Sequence, residues 1–191
     1  MRGGGGRGSR WRIAAWAIAA LLWLLPLVAM QLTDEVVWDE TDFAVWGAML
    51  LGAGGPYELA ARMTGNTAYR AAAGVALAAA FILVWMNLAV GIIGSEDNPA
   101  NLMYGGVLAV AIIGAVIARF RPAGMARALS ATALAQALVG VFALAAGFGS
   151  TAPSFPEAIV FLTGFFAALW LMSAWLFRRA AREQVPAGAV P

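Results

Sequence analysis

The residues of this chain that could do chemistry are few, because three reactive residue types are missing. Among 191 residues there is no cysteine and no histidine, and all twelve basic residues are arginine. This composition excludes disulfides, thiol nucleophiles, zinc or haem sites built from cysteine and histidine, and lysine Schiff bases. No two carboxylates are placed to work as an acid–base pair. We therefore expect no enzyme activity, no catalytic residue, no metal ligand set and no cofactor.

One acidic residue, Glu58, lies inside a long apolar segment, and Arg62 follows it at i+4. An ionised carboxylate at the centre of a bilayer costs about 2.5–3.5 kcal/mol on insertion scales. A Glu–Arg pair in this order is favourable on a helix, and both side chains can reach towards the membrane surface. A structural ion pair and a transport or proton-relay group are both open interpretations. The preceding GAGGPYE, with Pro56, indicates either a kinked, closely packed helix or a discontinuous helix that lines a cavity.

Two uncharged polar residues, Asn87 and Gln136, fall inside other apolar segments. Hydrocarbon cannot satisfy their hydrogen-bonding groups, so we expect both side chains to face other helices. Gln136 also belongs to a four-residue repeat of small or polar residues with Ala128, Thr132 and Gly140. Such a stripe is typical of a helix-packing surface and, less commonly, of a pore lining.

The most distinctive stretch is GIIGSEDNPANLMYGG, residues 91–106. The Asn98-Pro step favours a turn, and Ser95 or Asn98 could cap the helix that follows. Glu96, Asp97 and the two asparagines of the segment offer hard oxygen ligands of the kind that calcium or magnesium uses, but their spacing is not that of an EF-hand loop and only two of them are charged. A capped outer turn and a loop that contacts a partner or a cation are both open.

The amino-acid composition indicates that these residues lie on or between membrane-spanning helices. Hydrophobic residues make up 62% of the chain and charged residues 12%, whereas soluble domains have about 45–50% and about 25%. A membrane-spanning helix needs about 20 apolar residues. We predict an all-α polytopic membrane protein with one six-helix transmembrane domain over residues 11–178 and disordered cytoplasmic tails at 1–10 and 179–191. The six predicted spans are 11–30, 43–62, 71–93, 102–118, 128–148 and 155–177.

The few charges orient these spans. If all six helices cross, every arginine lies on one side, and eight of the ten acidic residues lie on the other. Arginine in short loops accumulates on the cytoplasmic side, so both termini are predicted to be cytoplasmic. The basic pI then reflects topology, and no nucleic-acid partner is expected. The first apolar run is longer than a typical signal-peptide core, which favours a retained anchor.

A possible internal repeat relates parts of the chain. With a shift of 57 residues, 61–81 falls on 118–138, so that Arg62 matches Arg119 and Arg70 matches Arg127. The six helices could therefore form three tandem hairpins in the same orientation, unlike the inverted repeats of many transporters. Alanine-rich helices also match one another by chance, and both explanations are open.

The chain resembles a family of small polytopic inner-membrane proteins from bacteria with no characterised activity. The resemblance is carried by the segment WMNLAVGIIGSEDNPANLMYGGVLAVAIIGAVIARFRPAGMARAL, with VAMQLTDEVVW upstream and YELAARMTGNTAYRAA between. The resemblance covers about residues 26–145. It implies a bacterial inner membrane and a multi-pass fold. It implies no activity, so no functional residue is transferred from it.

Two function hypotheses follow. The first is a non-catalytic membrane module in the lipid bilayer that acts through helix–helix contacts with a membrane-protein partner or with further copies of itself. The second is a small permease or channel for an ion or small solute. The candidate site residues for either are Glu58, Arg62, Asn87, Glu96, Asp97, Asn98 and Gln136.

Overall fold

The computed structural model describes residues 5–184, and this part of the chain is helical with short connections. The helices are α1 (Gly5–Leu32), α2 (Glu40–Met63), α3 (Thr67–Ala89), α4 (Met103–Ile117), α5 (Pro122–Ala145) and α6 (Glu157–Glu183), with a one-turn 3₁₀ helix (Pro99–Leu102) before α4. The predicted all-α fold with six helices is confirmed. The predicted tails are partly helical, since α1 begins at Gly5 and α6 continues to Glu183. Their remaining parts, 1–4 and 185–191, lie outside the described residues.

Five of the six helices in the described part of the chain are long and apolar enough to cross a membrane: α1, α3, α4 with its preceding turn, α5 and α6. α2 has sufficient length but falls short in apolar character. The sequence Gly-Gly-Pro-Tyr-Glu at 54–58 lowers its apolarity. α2 nevertheless runs as one helix through Pro56, so the discontinuous-helix interpretation is wrong.

The ends of α3 and α5 differ from those that the apolar pattern predicts, because capping residues, glycine and proline determine them. α3 begins after Asn66, whose side chain accepts a hydrogen bond from the Tyr69 amide at 2.8 Å. It ends at Ala89, before the predicted Ile93, because Gly91 adopts a φ of 70° that a residue with a Cβ rarely takes. α5 begins at Pro122, which suits the first helical turn because its missing N–H has no intrahelical partner there.

The chain divides into two compact units, residues 1–55 and 56–191, and the boundary falls inside α2 between Gly55 and Pro56. In the first unit, two indole groups join α1 to α2. Trp23 Nε1 donates to the Phe43 carbonyl and Trp46 Nε1 donates to the Leu22 carbonyl, both at 3.0 Å.

In the second unit, α5 packs against α4 and α6, and α6 packs against α3. Small residues allow close approach: a Cβ at Gly114 would overlap Ala128, and a Cβ at Gly140 would overlap Thr163. The predicted stripe of α5 is buried, which supports its interpretation as a packing surface. α3 and α4 form their extensive contacts with other helices rather than with each other. The tandem-hairpin repeat therefore stays a prediction.

Candidate functional site

The predicted ion pair at the end of α2 is confirmed. Arg62 Nε donates to Glu58 Oε1 at 2.8 Å, and the Arg62 side chain is 60% exposed while that of Glu58 is 17% exposed. A carboxylate with a charged donor one helical turn away needs no further function to explain its position. This contact favours the structural interpretation of the pair.

The acidic turn between α3 and α4 is a capped turn. Asn98 Oδ1 accepts a hydrogen bond from the Ala100 amide at 3.0 Å and caps the 3₁₀ helix, as predicted for this residue. Glu96 and Asp97 are exposed beside it. Across residues 5–184 no three acidic side chains cluster closely enough to hold a metal ion. The geometry of the turn favours a structural role.

Asn101 is the residue of this turn that sequence reasoning did not select. Its Oδ1 accepts from the amides of Ile92 at 3.0 Å and Ile93 at 2.9 Å, and its Nδ2 donates to the Ser95 carbonyl at 2.7 Å. The side chain is buried and replaces the backbone bonds that the chain loses as it leaves α3. The available signal was a second asparagine directly after the Asn-Pro turn.

The same turn lies against the connection between α5 and α6. Gly94 and Gly149 adopt φ values of 79° and 78°. A Cβ at Gly149 would come within 2.8 Å of the Gly94 amide nitrogen. The two connections pack backbone to backbone, and this close contact explains both glycines.

The interior of the second unit contains polar atoms without a partner. The Gln136 side chain is fully buried, and neither its oxygen nor its nitrogen forms a hydrogen bond with any described residue. Asn87 Nδ2 donates to the Leu83 carbonyl at 2.7 Å, whereas its Oδ1 is buried and unpartnered. Three further polar atoms are buried and form no hydrogen bond with a described residue: the Tyr104 hydroxyl, the Thr163 hydroxyl and the Trp170 indole nitrogen.

Sequence reasoning selected Asn87 and Gln136 but missed the other three. Tyrosine, threonine and tryptophan are common in apolar helices and at membrane interfaces, so their types alone gave no signal. The seven predicted site residues do not form one cluster. They lie at the end of α2, near the end of α3, in the following turn and in the middle of α5.

One face of α2 within the first unit carries small residues with little around them. Ala44, Ala48 and Gly52 follow one another at i, i+4 and i+8, and all three are exposed. Among the described residues, no atom outside the local helix backbone lies within 4 Å of where a Cβ would stand at Gly52 or Gly55. The space at Gly47 is filled instead, because a Cβ there would lie 2.9 Å from Nε1 of the Trp23 indole. Gly47 therefore gives room to the Trp23 indole of α1, and Gly54 lies beside the Trp16 ring, whereas the space at Gly52 and Gly55 is open among the described residues.

Comparisons with protein-family models, with curated proteins and with solved structures find no match to this chain. The architecture on its own defines the class: a polytopic helical membrane protein with several apolar spans.

Proposed function

We propose that this protein is a non-catalytic module of a bacterial inner membrane that works through contact between α2 and a helix of a second membrane protein or of a second copy. The exposed face of Ala44, Ala48 and Gly52 carries the proposal. A glycine inside a helix costs about 0.5–1 kcal/mol relative to alanine. Small residues four apart let two membrane helices approach closely. In such a contact, side chains of the partner helix would occupy the open space at Gly52 and Gly55.

The charge distribution supports a topology for this module in which α2 also crosses the membrane. Arg62 and Arg70 lie at the end of α2 and the start of α3, and further arginines lie between α4 and α5 and at the end of α6. With six crossings these groups share the cytoplasmic side with both termini. With five crossings they would be divided between the two sides. α1 is retained in this proposal as the first crossing.

The experiment is native mass spectrometry of the full chain, extracted gently from its own membrane. The wild type is compared with Gly52→Leu, which fills the α2 face, and with Gly105→Leu. Gly105 is exposed on α4 and also has open space around its Cβ position, so it is a matched control for adding the same side chain. We expect a complex, either a dimer or a pair with another membrane protein, that Gly52→Leu abolishes and Gly105→Leu preserves.

A monomeric wild type would contradict the proposal. So would a complex that survives Gly52→Leu. Because the chain has no native cysteine, the variant Ala48→Cys gives an independent measurement, since oxidation should cross-link two copies only if the partner is a second copy.

A small permease or channel is the second candidate, and the unpartnered Gln136 amide in the unit interior favours it. Intramembrane polar groups commonly mark solute pathways. Its test is flux through liposomes, where Gln136→Leu should remove solute flux and Glu58→Gln should leave it unchanged. Absence of flux in the wild type would eliminate this candidate without affecting the α2 contact.

A further inference from the structure

We infer that the C-terminal end of α6 carries a binding site for the headgroup of an anionic phospholipid, in a groove lined by Trp175, Arg179 and Arg182. Among the described residues, Glu183 completes the lining of this groove, whose volume is about 440 Å³. The site is independent of the α2 contact, because it uses residues of the second unit only.

The groove lies where the apolar sequence of α6 gives way to arginine. Trp175 is 55% exposed, and tryptophan rings in membrane helices prefer the level of the headgroups. Arg179 and Arg182 follow it at i+4 and i+7, so all three residues share one face of the helix. The exposed Leu171 and Met172 precede them and can contact acyl chains. The order from apolar residues through tryptophan to arginine is the order in which a phospholipid presents its chains, its ester region and its phosphate.

The Arg179 side chain is held in place by residues of two helices. Its Nε donates to Glu183 Oε1 at 2.9 Å, and Asn66 Nδ2, before α3, donates to Glu183 Oε2 at 2.9 Å. An exposed i,i+4 ion pair alone would be weak, but the second bond ties this carboxylate to α3 as well. No described residue accepts a hydrogen bond from the two terminal nitrogens of Arg179. They are a planar pair of donors of the kind that binds phosphate oxygens.

The neighbouring arginines of α6 are not equivalent. The exposed Arg182 side chain forms no hydrogen bond or ion pair with any residue in the described part of the chain. Arg178, in contrast, donates from Nη2 to Ser130 Oγ of α5 at 3.2 Å, and it does not line the groove. Two arginines therefore offer donors in the groove, whereas the third is bonded to the adjacent helix.

The charge of the groove selects the class of lipid. Two arginines and one glutamate leave a single positive charge, which matches the single negative charge of phosphatidylglycerol. Both oxygens of Glu183 already accept hydrogen bonds, so this carboxylate is not available to the ammonium group of a zwitterionic lipid. Basic pockets at the cytoplasmic ends of membrane helices bind anionic headgroups in the same way.

The experiment is native mass spectrometry of the full chain in detergent micelles that contain equal amounts of dioleoyl phosphatidylglycerol and dioleoyl phosphatidylcholine. We expect the wild type to retain phosphatidylglycerol in preference. Arg179→Gln and Arg182→Gln should each lower its affinity by about fivefold, the effect of one arginine near an anionic headgroup. Arg178→Gln removes the same charge one turn away and is the matched control, so its affinity should stay close to that of the wild type.

Glu183→Ala separates a built site from a basic surface. If charge alone attracts the lipid, removal of a carboxylate strengthens the binding of phosphatidylglycerol. If Glu183 positions Arg179, the same change weakens binding, because the guanidinium is no longer held. We expect weaker binding with no change in the unfolding temperature. Arg182→Gln breaks no contact with a described residue, so the site can be tested even if Glu183→Ala fails to fold.

Four results would overturn the inference. They are equal retention of the two lipids, an equal loss of affinity in Arg178→Gln and Arg182→Gln, tighter binding by Glu183→Ala, and displacement of the lipid by an equal concentration of inorganic phosphate. The last result would identify a soluble anion as the occupant. None of these results would affect the α2 contact, which is tested by Gly52→Leu.

Discussion

Asn101 illustrates how one side chain can hold a membrane-protein connection together. The backbone amides of Ile92 and Ile93 follow the end of α3 and are buried, so they need acceptors away from water. The Asn101 carboxamide accepts both of these bonds and donates to the Ser95 carbonyl. This side chain therefore ties the backbone of residues 92–95 to the 3₁₀ helix that precedes α4.

Asn101→Ala should destabilise the protein by about 2–4 kcal/mol, because it leaves two buried amides without an acceptor. Reversible unfolding in mixed micelles measures this difference. Asn98→Ala is the matched control in the same turn, and it should cost about 1 kcal/mol, since it removes one cap bond. If the two variants lost equal stability, the special role of Asn101 in satisfying two buried amides would be contradicted.

Sequence reasoning predicted the residues whose partners are local and missed those whose partners depend on the tertiary path. The Glu58–Arg62 pair follows from the i,i+4 spacing of a helix, and the Asn98 cap follows from the Asn-Pro step. Asn101 bonds to amides eight and nine residues before it. That pairing depends on how the turn folds back, which no local rule states. The burial of the Tyr104 and Thr163 hydroxyls depends likewise on how α4, α5 and α6 pack together.

At the scale of elements, a proline in one helix and a tryptophan in the next explain the contact between α1 and α2. Pro26 has no N–H, so the Leu22 carbonyl one turn earlier loses its usual donor inside α1. Trp46 Nε1 of α2 donates to that carbonyl at 3.0 Å. The second unit shows a different contact, in which small residues of α5 allow neighbouring helices to approach.

A double-mutant cycle tests this explanation. Trp46→Phe should weaken the hairpin in the wild type, because the Leu22 carbonyl loses the indole donor. In a Pro26→Ala background the same change should cost less, since the substituted alanine supplies a backbone N–H. We expect a coupling of about 1 kcal/mol, measured as the free energy of opening of α2 amides by hydrogen exchange. Additive effects would mean that the indole bond has no connection with the proline.

The six helices themselves could be predicted, and for five of those in the described part of the chain, length and apolar composition alone are a sufficient signal. Their ends could not be predicted equally well. Gly91, with its positive φ, ends α3 early, and Pro122 begins α5 before the apolar run starts. Both ends depend on backbone conformation, which the distribution of apolar residues does not predict.

At the scale of the whole molecule, the apolar signal and the charge signal disagree about α2. By length and apolar composition, five helices in the described part of the chain qualify as spans, and α2 does not. By charge, the arginines collect on one side only if α2 crosses. The topology that we propose follows the charge signal, and the Glu58–Arg62 pair is compatible with it, because it lies in the last turns of α2 and can reach a membrane surface there.

The most direct test is the accessibility of single cysteines in intact cells and after permeabilisation. Val37, which is 81% exposed, lies between α1 and α2, and Gly65 lies between α2 and α3, so the two positions differ only by passage through α2. Ser95, after α3, reports the orientation. The account predicts that Val37→Cys and Ser95→Cys react with a membrane-impermeant maleimide in intact cells, whereas Gly65→Cys reacts only after permeabilisation. Labelling of Val37→Cys and Gly65→Cys from the same side would contradict it.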